Sequence, residues 1–281
     1  MLAHPLNKKW LAKWFAEDER IVVQPKLNGL RCRAIIKPTE IQLLSSQANP
    51  FDIVHISDQL RTLANIVPME TLNQITLDGE LYKHGMPFQE ISSRVRRQLT
   101  RHEDQSSLTY TIFDRIDPLH DQMKRIDFVA YLRNIILDNS LHALHILPTF
   151  IVHNEAELAT YYQMFLDDNY EGIILRRATG MYEEKKSQFL MKLKPRKQVE
   201  ANVIGTVEER DKYGHPKGTL GAFMCELDNG VRFHVGSGLN ANQRSKWWGQ
   251  TTDLPNRILV FYQELSTDGV PIFPIFKEVV S

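Results

Sequence analysis

The chain has 281 residues, 42% of them hydrophobic and 24% charged, with 34 basic residues balancing 34 acidic ones. No run approaches the ~18 apolar residues of a membrane-spanning helix, Met1 to Trp10 carries no apolar signal core, and Cys32 and Cys225 are too few for a disulfide framework or a multi-cysteine zinc site. Zero formal charge argues against a generally basic nucleic-acid coat while leaving room for local basic surfaces, and the expected location is a reducing cytoplasm with no membrane partner.

Asn7 to Glu17 reads as an amphipathic helix with Trp10, Leu11, Trp14 and Phe15 on one face. Ile21 to Lys26 and Leu30 to Ile36 read as strands joined through Asn28-Gly29, a hairpin-turn signal because both residues tolerate positive φ. Gln74 to Leu81 reads as another strand, and Pro87 to Leu99 as a helix with Arg94, Arg96, Arg97 and Arg101 near its end. Leu108 to Phe113 alternates as a strand, and Asp121 to Asn139 and Glu155 to Leu166 have helical spacing. His142 and His145 read as an i, i+3 surface pair on a helix, without a third ligand. Gly172 to Leu175 and Phe189 to Leu193 read as buried strands.

Past Pro195 the pattern changes. Asn202 to Glu208, Ala222 to Leu227, Arg232 to Val235, Ile258 to Leu265 and an extended run near Ile275 to Val280 are short strands between turns, which predicts a small β-barrel. Trp247 and Trp248 are expected to pack into it. A boundary near Lys197 or Gln198 divides the chain into a mixed domain, 1–198, and a β-domain, 199–281; both sizes are ordinary for domains.

The chemistry begins at Lys26. A lysine at a strand end before a tight turn is partly desolvated and rigidly held, as a nucleophilic amine must be, although Lys-x-Asn-Gly taken alone reads first as an ordinary hairpin with a surface lysine. Other polar residues mark strand ends: Glu80 after an apolar run, Phe113 before Asp114, Glu171 opening the strand Gly172 to Leu175, and Lys192 and Lys194 on one face of the strand ending at Pro195. Each fragment alone reads as strand-end polarity beside a core.

Taken in order, the fragments resemble the nucleotidyltransferase motifs of ATP-dependent DNA ligases, relatives of RNA ligases and mRNA capping enzymes. Gln24-Pro25-Lys26 with Asn28-Gly29 and Arg31 resembles the nucleophile motif. Asp78-Gly79-Glu80, Phe113-Asp114, Glu171-Gly172 and Lys192-Leu193-Lys194 follow in family order. Pro87-Phe88-Gln89-Glu90 with Ser93 to Arg97 is closer to DNA ligases than to capping enzymes. Gly218 to Ala222, Val235 to Leu239, Tyr262 to Leu265 and Phe273-Pro274 resemble the oligonucleotide-binding (OB) fold of small DNA ligases.

The resemblance implies an α+β fold: a nucleotidyltransferase (adenylation) domain with antiparallel sheets and flanking helices, then a small OB-fold β-barrel. It implies ATP, Mg²⁺ (with Mn²⁺ as a substitute) and nicked double-stranded DNA as cofactors and partner, with the chain acting as a monomer. Lys26 would attack the α-phosphate of ATP, forming lysyl-AMP; AMP would pass to the nick 5′-phosphate, and the 3′-hydroxyl would displace it. Lys192 and Lys194 would neutralise phosphate charge, and Glu80 and Glu171 would hold the metal. Gln24 would meet the adenine edge, Phe113 its face, and Arg31 and Glu80 the ribose, with Arg31 also near the nick. Arg94, Arg96, Arg97, Lys185, Lys186, Arg196 and Lys197 would contact backbone phosphates.

Three positions depart from the family pattern. Asn28 stands where Asp is usual, Ser46 where an arginine holds the nick phosphate, and Ile272 where an arginine orients the pyrophosphate, with Lys277 a candidate replacement. An active enzyme with altered step rates is expected. The alternatives are an RNA ligase or capping-type enzyme, and a non-catalytic clamp on nicked DNA.

Overall fold

The structure, a computed structural model, describes residues 1–18, 20–67, 73–96, 103–195, 197–249, 254–262, 264–266 and 268–281. Two compact units divide it, Met1–Lys194 and Pro195–Ser281.

In the first unit the elements run β1 (Leu2–Pro5), α1 (Lys8–Asp18), β2 (Ile21–Pro25), β3 (Leu30–Lys37), β4 (Glu40–Ser45), α2 (Val54–Ile66), β5 (Ile75–Tyr82) and α3 (Phe88–Arg96). A 3-10 turn at Glu103–Ser107 leads to β6 (Thr109–Arg115), α4 (Gln122–Asp138), β7 (Leu144–Ile146), β8 (Phe150–Val152), α5 (Glu155–Asp167), β9 (Ile173–Arg177) and β10 (Lys186–Leu193). Two five-stranded sheets result, ordered β1-β10-β9-β2-β8 and β4-β3-β5-β6-β7. Pairing is antiparallel except between β1 and β10 and between β6 and β7.

Side-chain periodicity explains what each sheet covers. The first packs α1 and α5 through Leu11, Trp14, Leu158 and Phe165 onto Ile21, Val23, Leu175 and Met191. The second packs α2, α3 and α4 through Ile56, Leu60, Ile91, Val95, Val129 and Leu132 onto Cys32, Ala34, Leu77 and Ile112. Along β3 the two-residue alternation buries Cys32, Ala34 and Ile36, leaving Arg31, Arg33, Ile35 and Lys37 on the other face.

β2 and β3 do not form the expected hairpin. β2 belongs to the first sheet and β3 to the second, so Lys26 to Gly29 carries the chain across from one to the other. Neither Asn28 nor Gly29 has a positive φ. Glycine is required there by crowding: a Cβ at Gly29 would lie 2.5 Å from the Leu81 carbonyl oxygen. His142 and His145 are not helical either; α4 ends at Asp138, His142 lies in a turn, and His145 is in β7. β1, β4, β7, β8 and α2 are additions to the expected elements.

The second unit contains β11 (Lys197–Arg210), β12 (Pro216–Glu226), β13 (Arg232–Val235), α6 (Ala241–Trp247), β14 (Arg257–Tyr262), β15 (Glu264–Leu265), β16 (Pro271–Ile272) and β17 (Ile275–Val279). Its main sheet is ordered β13-β12-β11-β14-β17. The two edges meet through a bridge between Ser237 and Ile275, where the Phe276 N–H donates to the Ser237 carbonyl at 2.8 Å. The sheet thus closes on itself as the anticipated barrel, and closure removes exposed edges. Trp247 packs inside it, its ring 5.3 Å from Phe223 and 5.7 Å from Phe276. α6, which carries this tryptophan, is started by a reciprocal cap between Asn240 and Gln243. Among the described residues, no helix is long and apolar enough to cross a membrane.

Candidate active site

Gln24, Lys26, Arg31, Glu80, Phe113 and Lys192 line one cavity in the first unit, together with Asp78, Ile174 and Arg176. The first sheet supplies Gln24 from β2, Arg176 from β9 and Lys192 from β10. The second supplies Arg31 from β3, Asp78 and Glu80 from β5 and Phe113 from β6. Lys26 sits at the crossing between them.

Backbone pairing fixes Lys26 beside Glu171. The Lys26 N–H donates to the Gly172 carbonyl at 2.8 Å, and the Glu171 N–H donates to the Lys26 carbonyl at 3.0 Å. Gly172 tolerates no side chain: its φ is +148°, and a Cβ would lie 2.2 Å from the Leu193 carbonyl oxygen. The Lys26 ammonium donates to Glu171 Oε2 and, at 3.1 Å, to the Leu27 carbonyl. Lys194 pairs with the other Glu171 oxygen. Burial pushes the Glu171 carboxyl up, but the charges and hydrogen bonds of Lys26 and Lys194 outweigh it and hold it below the ordinary range.

Glu80 is tuned oppositely. Burial raises its carboxyl to about 7, against the charge of Lys26 and the Gly29 N–H, which donates to Oε1 at 2.6 Å. Burial, followed by the charges of Lys194 and Lys26, lowers the Lys192 ammonium from its usual value. Around Lys26 stand further cations and two glutamates, Glu80 and Glu171, whose environments separate their proton affinities. Glu80 Oε2 has no hydrogen-bonding partner among the described residues. It would offer one hard oxygen to a divalent cation bound with phosphates, oxygen being the ligand type that Mg²⁺ prefers. No group of three or more metal-type side chains gathers among the described residues.

A buried polar chain lies behind this constellation. Gln24 Nε2 donates to the Phe113 carbonyl and the Thr149 hydroxyl, both at 2.9 Å, and its Oε1 accepts from Arg176 Nε at 2.8 Å. The Gln24 amide, expected at the adenine edge, thus has both N–H groups occupied inside the protein. Arg176 Nη1 continues to Asp114 Oδ2 at 2.8 Å, and Arg125 Nε donates to Asp114 Oδ1 at 2.9 Å. The Arg176 guanidinium also lies 5.3 Å from the centre of the Phe113 ring, holding that aromatic face in place. Arg31 is similarly committed: Nε and Nη2 grip Asp78 at 2.8 and 2.7 Å, Nη1 donates to the Met1 carbonyl, and Nη2 also donates to Tyr182 Oη.

Asp78 and Asp114 stand inside the quoted motifs without an assigned role, and Arg125, Arg176 and Tyr182 were not among the expected site residues. The available signal was burial: a charged residue ending Ile173-Ile174-Leu175 must be paired when it enters a core.

The described members of the expected phosphate-contact set, Arg94, Arg96, Lys185, Lys186 and Lys197, do not line the cavity. Arg94 is largely covered and turns back onto Glu90 at 3.1 Å. Arg96, Lys186 and Lys197 are exposed, and Lys185 pairs with Glu183 at 3.1 Å. Arg97 and Arg196 lie outside the described residues, as does Arg101.

Residues 1–194 match the family described as ATP dependent DNA ligase domain, and residues 213–279 match a DNA ligase OB-like domain. A DNA ligase of African swine fever virus (isolate Warthog/Namibia/Wart80/1980) is 30% identical over 229 residues, covering 79% of this chain and 52% of the viral protein. The chain thus spans about half the length of the viral relatives it matches. A Haemophilus influenzae DNA ligase is 24% identical over 276 residues, covering 98% of this chain and 90% of that one. Among solved structures, one from a structure-function study of Lig E DNA ligases superposes with a TM-score of 0.74 at 20% identity, covering 99% of this chain and 98% of its own. Another, named Pmar-Lig, gives 0.79 at 22% identity, covering 99% and 66%.

Proposed function

Since the chain belongs to the ATP-dependent DNA ligase family, we propose that it seals 5′-phosphate/3′-hydroxyl nicks in duplex DNA through an AMP group carried on Lys26. The observation that carries this reading is the placement of Lys26. It enters the same cavity as Glu80, Phe113, Arg31 and Lys192, with Glu171 bridging it to Lys194.

Phe113, backed by Arg176, offers a flat face to adenine, and Gln24 fixes the strand that leads to the nucleophile. The Lys26 amine leaves Glu171 and attacks the α-phosphorus of ATP, giving up two protons in all to water; the new P–N bond forms as the bond to pyrophosphate breaks. Lys192 and Lys194 face the non-bridging oxygens, where charge must be neutralised in phosphoryl transfer. A nick 5′-phosphate oxygen then attacks the same phosphorus, returning the amine to Lys26 and leaving a phosphoanhydride. Attack by the 3′-hydroxyl forms the phosphodiester and releases AMP. A Mg²⁺ ion bound with the nucleotide would add Lewis-acid stabilisation, with Glu80 the side chain suited to hold it; Mn²⁺ would serve the same oxygen ligands.

The test is single-turnover reaction of excess protein with ATP, Mg²⁺ and a duplex labelled at one nick 5′-phosphate. Sealed strand is expected, and Lys26→Ala should take no AMP from ATP. An RNA nick sealed in preference to DNA would assign the RNA-ligase alternative. A chain that never acquires AMP would leave only the nick-binding clamp.

A further inference from the structure

A second cavity, of about 360 Å³, adjoins the first; Met1, Leu2 and Arg31 line both, and Arg33, Ser46, Gln47, Tyr182 and Glu184 complete it. Arg33 is its unusual member. Its guanidinium Nε is buried without a hydrogen-bonding partner, and the Arg33 guanidinium forms no hydrogen bond or ion pair with any described residue. Buried polar atoms in native proteins are almost always paired, so an orphan calls for an explanation. Arg31, two residues along the same face of β3, shows the contrast: Asp78, the Met1 carbonyl and Tyr182 already engage it. The Tyr182 hydroxyl is engaged too, donating to Asp78 and accepting from Arg31 and the Met1 ammonium.

The neighbouring strand, β4, pairs Ser45 with Cys32 and ends in a built turn. The Ser45 hydroxyl accepts from the Gln47 and Asn49 N–H groups, and Ala48 adopts a φ of 62°. This turn places the exposed Ser46 hydroxyl and Gln47 amide at the cavity. Glu184, the only carboxylate in the lining, is exposed. The open guanidinium, a hydroxyl and an amide suit a tetrahedral oxyanion, for which arginine provides a matching fork of donors.

From this geometry we infer that Arg33, with Ser46 and Gln47, seats the terminal 5′-phosphate of the nicked strand. The inference rests on the ligase reading, in which the phosphate that receives AMP must lie beside the Lys26 cavity. This second cavity adjoins it and holds an uncommitted cation. Arg33 is a positioning residue for the acceptor strand, and the guanidinium missing at Ser46 is supplied from the adjacent strand β3.

The experiment compares wild type, Arg33→Ala and the double variant Arg33→Ala/Ser46→Arg. Each is assayed for labelling by α-labelled ATP and, in EDTA, for affinity toward duplexes nicked with a 5′-phosphate or a 5′-hydroxyl. Arg33→Ala should label normally and lose about 10- to 100-fold in affinity for the phosphate-bearing nick, the scale of one charge-assisted hydrogen-bonding group. Ser46→Arg should restore much of that loss, which an unfolded variant cannot do. Retained preference for the 5′-phosphate in Arg33→Ala overturns the assignment. An equal loss on both nicks does so too, because it identifies an internal backbone phosphate as the ligand. A wild-type chain that takes no label overturns the ligase reading and this assignment with it, whereas a labelled chain with no phosphate preference overturns the assignment alone.

Discussion

Arg176 of one sheet and Asp114 of the other meet at 2.8 Å with side chains only 5% and 0% exposed. The pair ties the strand beside Lys26, through Gln24, to the strand that carries Phe113. Asp114 also accepts from Arg125, whose side chain is fully buried. The two-sheet arrangement around the cavity therefore rests on ionic groups that need one another. Arg176→Ala would leave Asp114 with one cation fewer and Gln24 Oε1 without its donor. The expected cost is about 3–5 kcal/mol of stability, read as a lowered urea midpoint at unchanged slope. A change below about 0.5 kcal/mol, the scale of an ordinary surface substitution, would show that the pair does not hold the sheets.

Glu171 orients both Lys26 and Lys194. Glu171→Gln removes the charge that fixes them and should slow self-adenylation about 100-fold, the scale of a small misplacement at a reacting centre. Rapid-quench measurement of AMP incorporation reads this directly. Lys26→Ala should abolish incorporation yet still close a nick supplied already adenylated, since the final step makes no bond to Lys26.

Glu80 gives a pH signature. Its folded value of about 7 lies above its ordinary value of 4.5, so the folded state binds more protons between those limits. Stability should accordingly fall as pH rises from 4.5 to about 7 and level off above. The contribution is on the order of 3 kcal/mol. Glu80→Gln should remove this fall and melt higher than wild type at pH 8. Parallel Tm profiles of the two proteins would refute the assignment.

Gly172→Ala should damage the site without touching a charged residue. The added methyl meets the Leu193 carbonyl in a backbone conformation that side chains rarely adopt. A loss of about 1–3 kcal/mol is expected, with slower self-adenylation because Lys26 pairs with this peptide. Thermal melts and AMP incorporation check the two effects together.

The departures at Ser46 and Ile272 make separable predictions, one for each of two steps. Ser46→Arg in the otherwise native chain should tighten nick binding. Ile272→Arg should speed reaction with ATP; Lys277, the candidate replacement, lies with its ammonium 5.9 Å from the Phe261 ring centre. Titration of nicked duplex and single-turnover labelling distinguish them; no change in either step would count against the alignment of these positions.

Much of the candidate site was legible because its residues occupy local signals. Lys26, Glu80 and Glu171 stand at or near the ends of apolar strands, where a polar side chain reaches a cleft. The helices Lys8–Asp18, Gln122–Asp138 and Glu155–Asp167 follow apolar spacing and lie within a residue or two of expectation. Asn28-Gly29 misled for the same reason that local signals work. The dipeptide favours a tight turn, but whether the next strand returns to its neighbour or joins another sheet depends on distant partners. Here Leu30 to Ile36 pairs with β5, whose Leu81 carbonyl crowds Gly29.

The amino-acid sequence by itself determined which residues could be nucleophile, carboxylate and cation, and in what order, because those properties belong to side chains and short spacings. Only the tertiary structure decided which of them are free. Arg31 and Arg33 are the same residue on the same face of one strand. Yet Asp78 engages the first, while the second has a buried nitrogen with no partner among the described residues. An ion pair exists only where two side chains converge within a few ångströms, and for groups separated by tens of residues that convergence is set by how the sheets pair.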